Sequence, residues 1–265
     1  MMIYRRNVLI AAVAALGALG SATSYAQETL AQIQKKGVAK IAILADFPPF
    51  AFVDKNMQPQ GMDVDVAHEI SKRLGAKPEL IRVLSANRIP SLQAEKVDFL
   101  VASVAKSPDR EKVVDFTLPY APYYQAVFGR KSIDVKSYSD LAGKTVAVAR
   151  GTTQDENLQK VAPPETRIVR FESSSDAIQA IVSGQTQFIA MGSSIIGPVM
   201  KQHPKAEIEY KLLLKDSPNY IAVRKGDEPL RKKINEILKE MRADGTLEGL
   251  SKKWLGEGLD SLEKY

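Results

Sequence analysis

The chain has 265 residues, of which 37 are basic and 31 acidic, so its formal net charge is +6, and it contains no cysteine. The basic residues are scattered rather than clustered, which gives little support for nucleic-acid binding. The absence of cysteine excludes disulfides, thiol nucleophiles, cysteine-ligated metals and the lipid-modified cysteine that would tether an exported protein. The length suits one large domain or two lobes.

Residues 1–26 are predicted to be a cleavable signal peptide. Arg5 and Arg6 precede an apolar run of roughly 13 residues, whereas a membrane-spanning helix needs about 20. The small residues Ser24 and Ala26 offer a cleavage point. The paired arginines fit both general secretion and twin-arginine export. We therefore expect the mature protein to begin near Gln27 and to be soluble in the periplasm, without a lipid anchor.

Strand-like and helix-like segments alternate along the rest of the chain, which is typical of an α/β fold. In chain order the sequence predicts a strand at 39–44, helices at 64–74 and 89–95, strands at 97–104 and 145–149, helices at 155–161 and 174–183, strands at 188–191 and 220–223, and a continuous helical stretch at 229–254. Each half contains a strand, a polar turn that opens a helix, and further βα units. This pattern favours two lobes that face a cleft.

The segment Ser107-Pro108-Asp109-Arg110 follows the apolar strand at 97–104. Ser107 can cap a helix, Pro108 suits its first position, and Asp109 suits the positive end of its dipole. Arg110 is then left without a structural reason. A guanidinium at a strand end, beside free backbone N–H groups, is a receptor for a ligand carboxylate. The alternative is a surface arginine paired with a neighbouring acid.

A second turn, Gly151-Thr152-Thr153, follows the strand at 145–149 and opens the next helix. Its free N–H groups, its two hydroxyls and the helix dipole suit an anionic oxygen. No Gly-Lys-Ser/Thr follows, so the turn is not a Walker loop. An ordinary capped helix is the alternative. In a two-lobed molecule, Arg110 and this turn would stand on opposite walls of the cleft.

Six segments together carry a family resemblance. They are Phe47-Pro48-Pro49-Phe50, Gly61-Met62-Asp63-Val64-Asp65, Ile89-Pro90-Ser91-Leu92 with Lys96-Val97-Asp98, Ser107-Pro108-Asp109-Arg110 with Val114-Asp115-Phe116, Leu141-Ala142-Gly143-Lys144 with Gly151-Thr152-Thr153, and Lys225-Gly226-Asp227 with Asp244-Gly245-Thr246. In this order they resemble the bacterial extracellular solute-binding family 3, the periplasmic receptors of amino-acid ABC importers. Each segment alone is weak, but six in register over residues 27–260 are specific.

The resemblance implies the two-lobed α/β fold of type II periplasmic binding proteins, with two hinge crossings. Lobe one would hold residues 27–128 and 225–265, and lobe two residues 129–224, with crossings near 127–131 and 219–224. It also implies a receptor, not an enzyme, that binds a small carboxylate ligand, most directly an amino acid. The receptor would close on the ligand and deliver it to a membrane-embedded ABC permease. No cofactor, metal or nucleic acid is implied, and we expect a monomer.

The resemblance also implies roles for particular residues. The family arginine that matches Arg110 binds the ligand α-carboxylate. Groups around Ser103 and Ala105, and the turn hydroxyls of Thr152 and Thr153, would assist it. An apolar wall is expected from three rings, for which packing in the lobe-one core is the alternative: Phe47, Phe50 and Phe52.

Three pocket positions depart from the family pattern. Ser85 stands where an aromatic or leucine platform is usual, and Ala105 stands where a hydroxyl usually meets the carboxylate. Gly192 stands where an aspartate usually binds the α-ammonium group. A buried ammonium without an acid is costly, so either Asp46 supplies the charge or the ligand lacks an α-amine. Ser193 can only offer hydrogen bonds.

The charge of the cleft and the class of function stay open at this level. Arg88 and Lys106 are expected to face solvent; inside the cleft they would favour an acidic or multiply anionic ligand. Some relatives of the fold are dehydratases of a carboxylate-bearing cyclohexadienyl ring. That chemistry needs a general acid or base, for which Asp46, Glu172 and Asp176 are the only candidates. A ligand sensor that acts through a membrane partner is the third possibility.

Overall fold

A computed structural model describes residues 28–263 and 265 of the chain, so the predicted signal peptide lies outside the described residues. The described part forms two α/β lobes, each built on a five-stranded sheet. None of the helices in the described part is long and apolar enough to cross a membrane.

Lobe one is built from both ends of the described chain. Its strands are β1 (Val38–Leu44), β4 (Lys77–Val83), β5 (Phe99–Val104), β6 (Val114–Ala121) and β12 (Asn219–Arg224), with a small hairpin of β2 (Phe52–Val53) and β3 (Pro59–Gln60). Its helices are α1 (Glu28–Lys36), α2 (Met62–Arg73), α3 (Arg88–Gln93), α4 (Pro108–Glu111), α8 (Glu228–Ala243) and α9 (Thr246–Leu255), with 3₁₀ turns at Ser85–Asn87 and Asp260–Leu262. The sheet order is β4-β1-β5-β12-β6, and the fully buried β5 lies at its centre.

Lobe two is a single continuous segment. Its strands are β7 (Tyr124–Arg130), β8 (Thr145–Ala149), β9 (Arg167–Phe171), β10 (Phe188–Gly192) and β11 (Ile208–Asp216). Its helices are α5 (Thr153–Val161), α6 (Ser174–Ser183) and α7 (Ser193–Gln202), with 3₁₀ turns at Tyr138–Leu141 and Pro204–Ala206. The sheet order is β11-β7-β10-β8-β9. Each lobe thus brings the carboxyl ends of its central parallel strands to one edge, where ligands bind in open α/β sheets.

The chain crosses between the lobes twice, between β6 and β7 and between β11 and β12. The sequence places these crossings later, within 127–131 and 219–224. In the structure β12 instead pairs antiparallel with β5 and β6, so it belongs to lobe one, and β7 belongs wholly to lobe two. The physical reason is that an apolar strand has the same pattern in either sheet, whereas its hydrogen-bond partner is not visible in its sequence.

Most predicted elements are present, with bounds shifted by a few residues. The helix at 174–183 is present as α6, but the stretch at 229–254 is two helices rather than one. Gly245 takes a left-handed conformation, with φ 78°, between α8 and α9, and breaks the helix there. Among the strands that the sequence pattern does not predict are β4, β9 and β11, whose half-exposed faces carry charged residues.

Candidate functional site

The two lobes touch where the 3₁₀ turn at Ser85–Asn87 meets the turn after β8. Gly151 opens this turn with φ 73°, and a Cβ built on it would lie 2.5 Å from the Cα of Ala86 in lobe one. The carbonyl of Gly151 accepts hydrogen bonds from Arg110 Nη2 at 3.0 Å and from Arg88 Nη2 at 3.3 Å. A glycine is therefore required at this point both for the backbone conformation and for the close approach of the lobes.

Arg110 lies in the short helix α4 directly after β5 and is only 6% exposed. Its Nη1 donates to the carbonyl of Ala105 at 3.2 Å. Its Nε and Nη2 lie 3.1 and 2.9 Å from Oε1 of Glu156, which lobe two contributes from α5. Burial lowers the pKa of Arg110, and Glu156 opposes this effect. The structure thus pairs Arg110 with an acid, as in the alternative interpretation. The arginine is buried rather than on the surface, however, and the acid comes from across the cleft.

The predicted turn before Arg110 is present, but one detail of it differs. Ser107 occupies the N-cap position of α4 with extended dihedrals, yet its side chain makes no capping hydrogen bond. The helix has four residues, so there is little helix for a cap to stabilise. Sequence reasoning also missed Glu156. In the sequence Glu156 is explained as a first-turn acid that suits the dipole of α5. Nothing in the sequence pattern then indicates its contact across the cleft.

Arg88 is a second buried cation at the cleft, contrary to the expectation that it faces solvent. The residue is 4% exposed, and burial together with the nearby Arg110 lowers its pKa to about 9. Lys106 is partly buried rather than solvent-facing, with its Nζ 4.1 Å from the ring centroid of Tyr220. The guanidinium of Arg88 donates to backbone carbonyls, which explains its burial: Ser85, Ala102, Ser103 and Gly151.

A cavity of about 220 Å³ adjoins both guanidiniums. Small-molecule pockets that enclose drug-sized ligands span about 300–1,000 Å³, so this cavity suits a smaller solute. The residues that matter for its chemistry are Ser85, Ala86, Arg88, Arg110, Gly151 and Glu156. It therefore combines two buried cations, the partly buried carboxylate of Glu156, the exposed carboxylate of Asp109 and a backbone turn from the opposite lobe.

An aromatic cluster fills the part of the cleft beside Gly192. The ring centroid of Tyr123, in the first crossing, lies 6.5 Å from that of Phe47 and 5.8 Å from that of Phe50. The Tyr123 hydroxyl accepts a 2.6 Å hydrogen bond from Gln154, and burial raises the pKa of Tyr123. A Cβ built on Gly192 would clash with the phenol end of Tyr123. An acidic side chain at position 192 therefore has no room while this ring is in place.

Other predicted site residues lie at the edge of the cleft or outside it. Asp46 follows β1 and accepts a 3.2 Å hydrogen bond from the backbone N–H of Ser175 in α6, so it spans the cleft. Burial raises the pKa of Asp46, and its hydrogen bonds to the backbone of α6 oppose this. Ser193 is the half-buried first residue of α7. Phe52 packs against Trp254, with ring centroids 6.0 Å apart, and does not join the aromatic cluster.

Ser103 belongs to a buried polar group behind the cleft. It is the last residue but one of β5 and has a left-handed backbone, φ 49°, and its hydroxyl donates to Asp63 at 2.8 Å. The Tyr120 hydroxyl donates to the other oxygen of Asp63 at 2.5 Å. Burial raises the pKa of Asp63 to about 7, against the lowering effect of these bonds. Asp63 thus fixes the end of β5 from within lobe one, through its hydrogen bond to Ser103.

Thr152 and Thr153 are both buried at the start of α5. The Thr152 hydroxyl caps the helix by accepting from the backbone N–H of Asp155 and donates to Ala149. The Thr153 hydroxyl accepts a 2.6 Å hydrogen bond from Gln125. Their hydroxyls thus hold the turn in shape, while the turn itself faces the guanidiniums through Gly151.

The sequence comparisons agree on one family. The sequence profile of the bacterial extracellular solute-binding proteins, family 3, matches residues 39–257. The ABC transporter glutamine-binding protein GlnH of Bacillus subtilis (strain 168) is 30% identical over 256 residues. That alignment covers 94% of this chain and 93% of the relative.

Solved structures share the fold over most of the chain. A mutant of ArgBP from T. maritima superimposes with a TM-score of 0.80 at 34% identity, covering 86% of this chain and 100% of that one. The ancestral amino-acid-binding protein AncCDT-1, described as a precursor of cyclohexadienyl dehydratase, gives a TM-score of 0.78 at 33% identity, with the same two coverages.

Proposed function

Because this chain belongs to the bacterial extracellular solute-binding proteins of family 3, we propose that it captures a small carboxylate ligand, most directly an amino acid, and delivers it to an ABC permease. One observation carries the proposal: Arg110 is a buried guanidinium that bounds a small cavity and faces the other lobe. Charge-assisted, bidentate contacts make such a group a strong carboxylate receptor. The names of the glutamine-binding and amino-acid-binding relatives support the amino-acid class.

The proposed mechanism is lobe closure on the ligand. A carboxylate at Arg110 meets a cation from lobe one, while the lobe-two turn that begins at Gly151 contacts the same cation. A ligand shifts a conformational equilibrium only by its difference in affinity for the two states. We propose that the ligand as a whole contacts groups of both lobes only when the lobes are together, so that its binding favours the closed form.

The proposed setting is the periplasm. The predicted signal peptide supports export, and the family is described as extracellular. The partner is a membrane-embedded ABC permease, as the name of the GlnH relative suggests for that protein. We propose that the receptor works as a monomer, since two lobes of one chain suffice to enclose the cavity at Arg110.

We propose binding without catalysis. Glu172 is an exposed side chain paired with Arg150, Asp176 accepts a hydrogen bond from Ser173, and Asp46 is bound to the start of α6. None of these three candidate acids lines the cavity beside the guanidiniums. The neighbour AncCDT-1 is itself described as an amino-acid-binding protein, which is consistent with a receptor on this fold.

Calorimetric titration of the mature protein tests the proposal. The protein is stripped of carried-over solute by unfolding and refolding, and is then titrated with each L-amino acid and with small carboxylates that lack the amine. We expect saturable binding of at least one amino acid. Silence from every amino acid and every carboxylate would contradict the proposal. Turnover of a carboxylated cyclohexadienyl compound would contradict the absence of catalysis.

A further inference from the structure

Glu156 occupies the face of Arg110 on which a ligand carboxylate has to bind. Its Oε1 lies within 3.1 Å of both Nε and Nη2, the two donors of the bidentate edge of the guanidinium. Both residues line the same cavity. If the proposed function holds, the ligand carboxylate displaces Glu156 from Arg110 while the lobes remain together.

Displacement separates the carboxylate of Glu156 from the guanidinium of Arg110 at a partly buried edge of the cavity. The Glu156 side chain is 34% exposed, so part of the lost ion pair is not replaced by solvent. Arg88 is the other cation of the cavity, and backbone carbonyls hold its guanidinium in place. An acid separated from its partner at a partly buried site is destabilised, so a ligand that brings its own cation is favoured.

We propose that Glu156 binds the cationic group of the ligand, so that one ion pair between the lobes is exchanged for two with the ligand. An α-ammonium is attached to the carbon that carries the α-carboxylate, so a carboxylate on Arg110 places the ammonium beside the displaced Glu156. The exchange conserves the charge of the closed cleft for a zwitterion and leaves one unpaired acid for a simple carboxylate. Glu156 is therefore the residue that makes the cleft selective for zwitterions.

The other acids near the cleft are unsuited to this role. Asp46 is bound to a backbone N–H of α6, and Asp63 is sealed behind Ser103 and Tyr120. Asp109 also lines the cavity, but its side chain is 80% exposed and paired with Lys112. Glu156 is the acid that loses its partner at the moment the ligand arrives.

Paired probes test the proposal by calorimetry. Wild-type protein is titrated with each L-amino acid and with the same acid lacking the α-amine, such as L-glutamine with 4-carbamoylbutanoate and L-arginine with 5-guanidinopentanoate. We expect wild type to prefer the zwitterion at least tenfold. Glu156→Gln should weaken binding of the zwitterion at least tenfold and strengthen binding of the amine-free acid, so that the preference reverses. Glu172→Gln, an exposed acid of the same lobe, should leave both affinities unchanged.

The outcomes separate this proposal from the proposed function. A Glu156→Gln protein that keeps the wild-type preference would overturn the role of Glu156 and leave the receptor function standing. Wild-type protein that prefers the amine-free acid would also overturn the role of Glu156. This outcome does not depend on whether a variant folds. If wild type binds no probe at all, the receptor function itself fails.

Discussion

Two buried guanidiniums converge on one carbonyl oxygen of the opposite lobe, that of Gly151, yet only one of them meets a carboxylate. Arg88 is fixed by carbonyls of its own lobe, because each donor bond replaces a bond to water that burial removes. Arg110 is different: its bidentate edge is held by a side chain, and a side chain can move away. At the scale of residues, Arg88 therefore builds the wall of the site, and Arg110 exchanges partners in it.

The sequence identifies Arg110 but not Arg88, and the difference is physical. Arg110 remains unexplained once Ser107, Pro108 and Asp109 have been assigned to the helix start, so it stands out locally. The burial of Arg88 depends on carbonyls at the end of β5, some fourteen positions further along the chain, which no local pattern shows. For Phe52 the sequence leaves the ligand wall and lobe-one packing open for the same reason, since its packing partner is Trp254 in the last long helix.

Replacing Arg110 with alanine should abolish carboxylate binding. A hydrogen bond to a charged group contributes about 1.5–3 kcal/mol, so the loss of two such bonds should weaken affinity at least ~100-fold in calorimetry. Lys112→Ala, which removes an exposed cation of the same segment, should bind like wild type. The unliganded protein should still fold, with a lower melting temperature, because the carbonyls of Ala105 and Gly151 lose a hydrogen-bond donor. Gross unfolding of Arg110→Ala would show instead that the residue is needed for the fold.

Asp63 should make the fold more stable in mild acid. Burial raises its pKa to about 7, so between about pH 4 and 7 the native chain holds a proton that the unfolded chain has released. This contribution is present at the low end of that window and is lost as the pH rises through it. In urea unfolding at pH 4.5 and pH 7.5, wild type should lose more stability on going to pH 7.5 than Asp63→Asn does. Equal losses in the two proteins would show that Asp63 does not titrate between these pH values. Asp134→Asn, which changes an exposed acid, serves as the control and should lose as much stability as wild type.

At the scale of elements, local periodicity predicts helices and buried strands well and assigns strands to sheets poorly. α6 has a clear apolar face and a serine cap, so its bounds can be read from residues 173–184 alone. β12 has an equally clear apolar run, but its place between β5 and β6 depends on pairing with residues 98 or more positions away. For that reason the hinge, which is defined by the switch of sheets, lies outside what the sequence pattern predicts.

The turn between β8 and α5 should tolerate no side chain at position 151. Gly151→Ala places a Cβ 2.5 Å from the Cα of Ala86, which keeps the lobes apart, and it also strains the backbone. Gly143→Ala is the matched control, because Gly143 has φ 69° and nothing within 4 Å of the added Cβ. Both variants should lose similar thermal stability, but only Gly151→Ala should lose ligand affinity, by at least tenfold. Equal affinities in calorimetry would show that this contact does not limit closure.

At the scale of the whole molecule, charged and polar contacts bridge the cleft at several points beside the aromatic cluster. Asp46 accepts from α6, Arg110 pairs with Glu156, and the two guanidiniums share the Gly151 carbonyl. Water can take over each of these contacts when the lobes separate, so opening exposes little new apolar surface at these points. A receptor that has to release its ligand at a permease needs such a reversible closure, because the free energies of the two forms must stay within a few kcal/mol.

The closed form should therefore depend on Asp46, and the absence of cysteine allows a direct measurement. Spin labels on Lys112→Cys in lobe one and Lys160→Cys in lobe two, both exposed, report the width of the cleft by pulsed EPR. With unliganded protein we expect a short and a long distance, and saturation with a bound amino acid should leave only the short one.

Asp46→Ala removes the bond to Ser175 and should enlarge the long-distance population. It should also weaken ligand affinity by the factor by which the closed fraction falls, since apparent affinity scales with that fraction. Glu172→Ala should change neither quantity, and an Asp46→Ala protein with wild-type distances would show that closure does not depend on this bond.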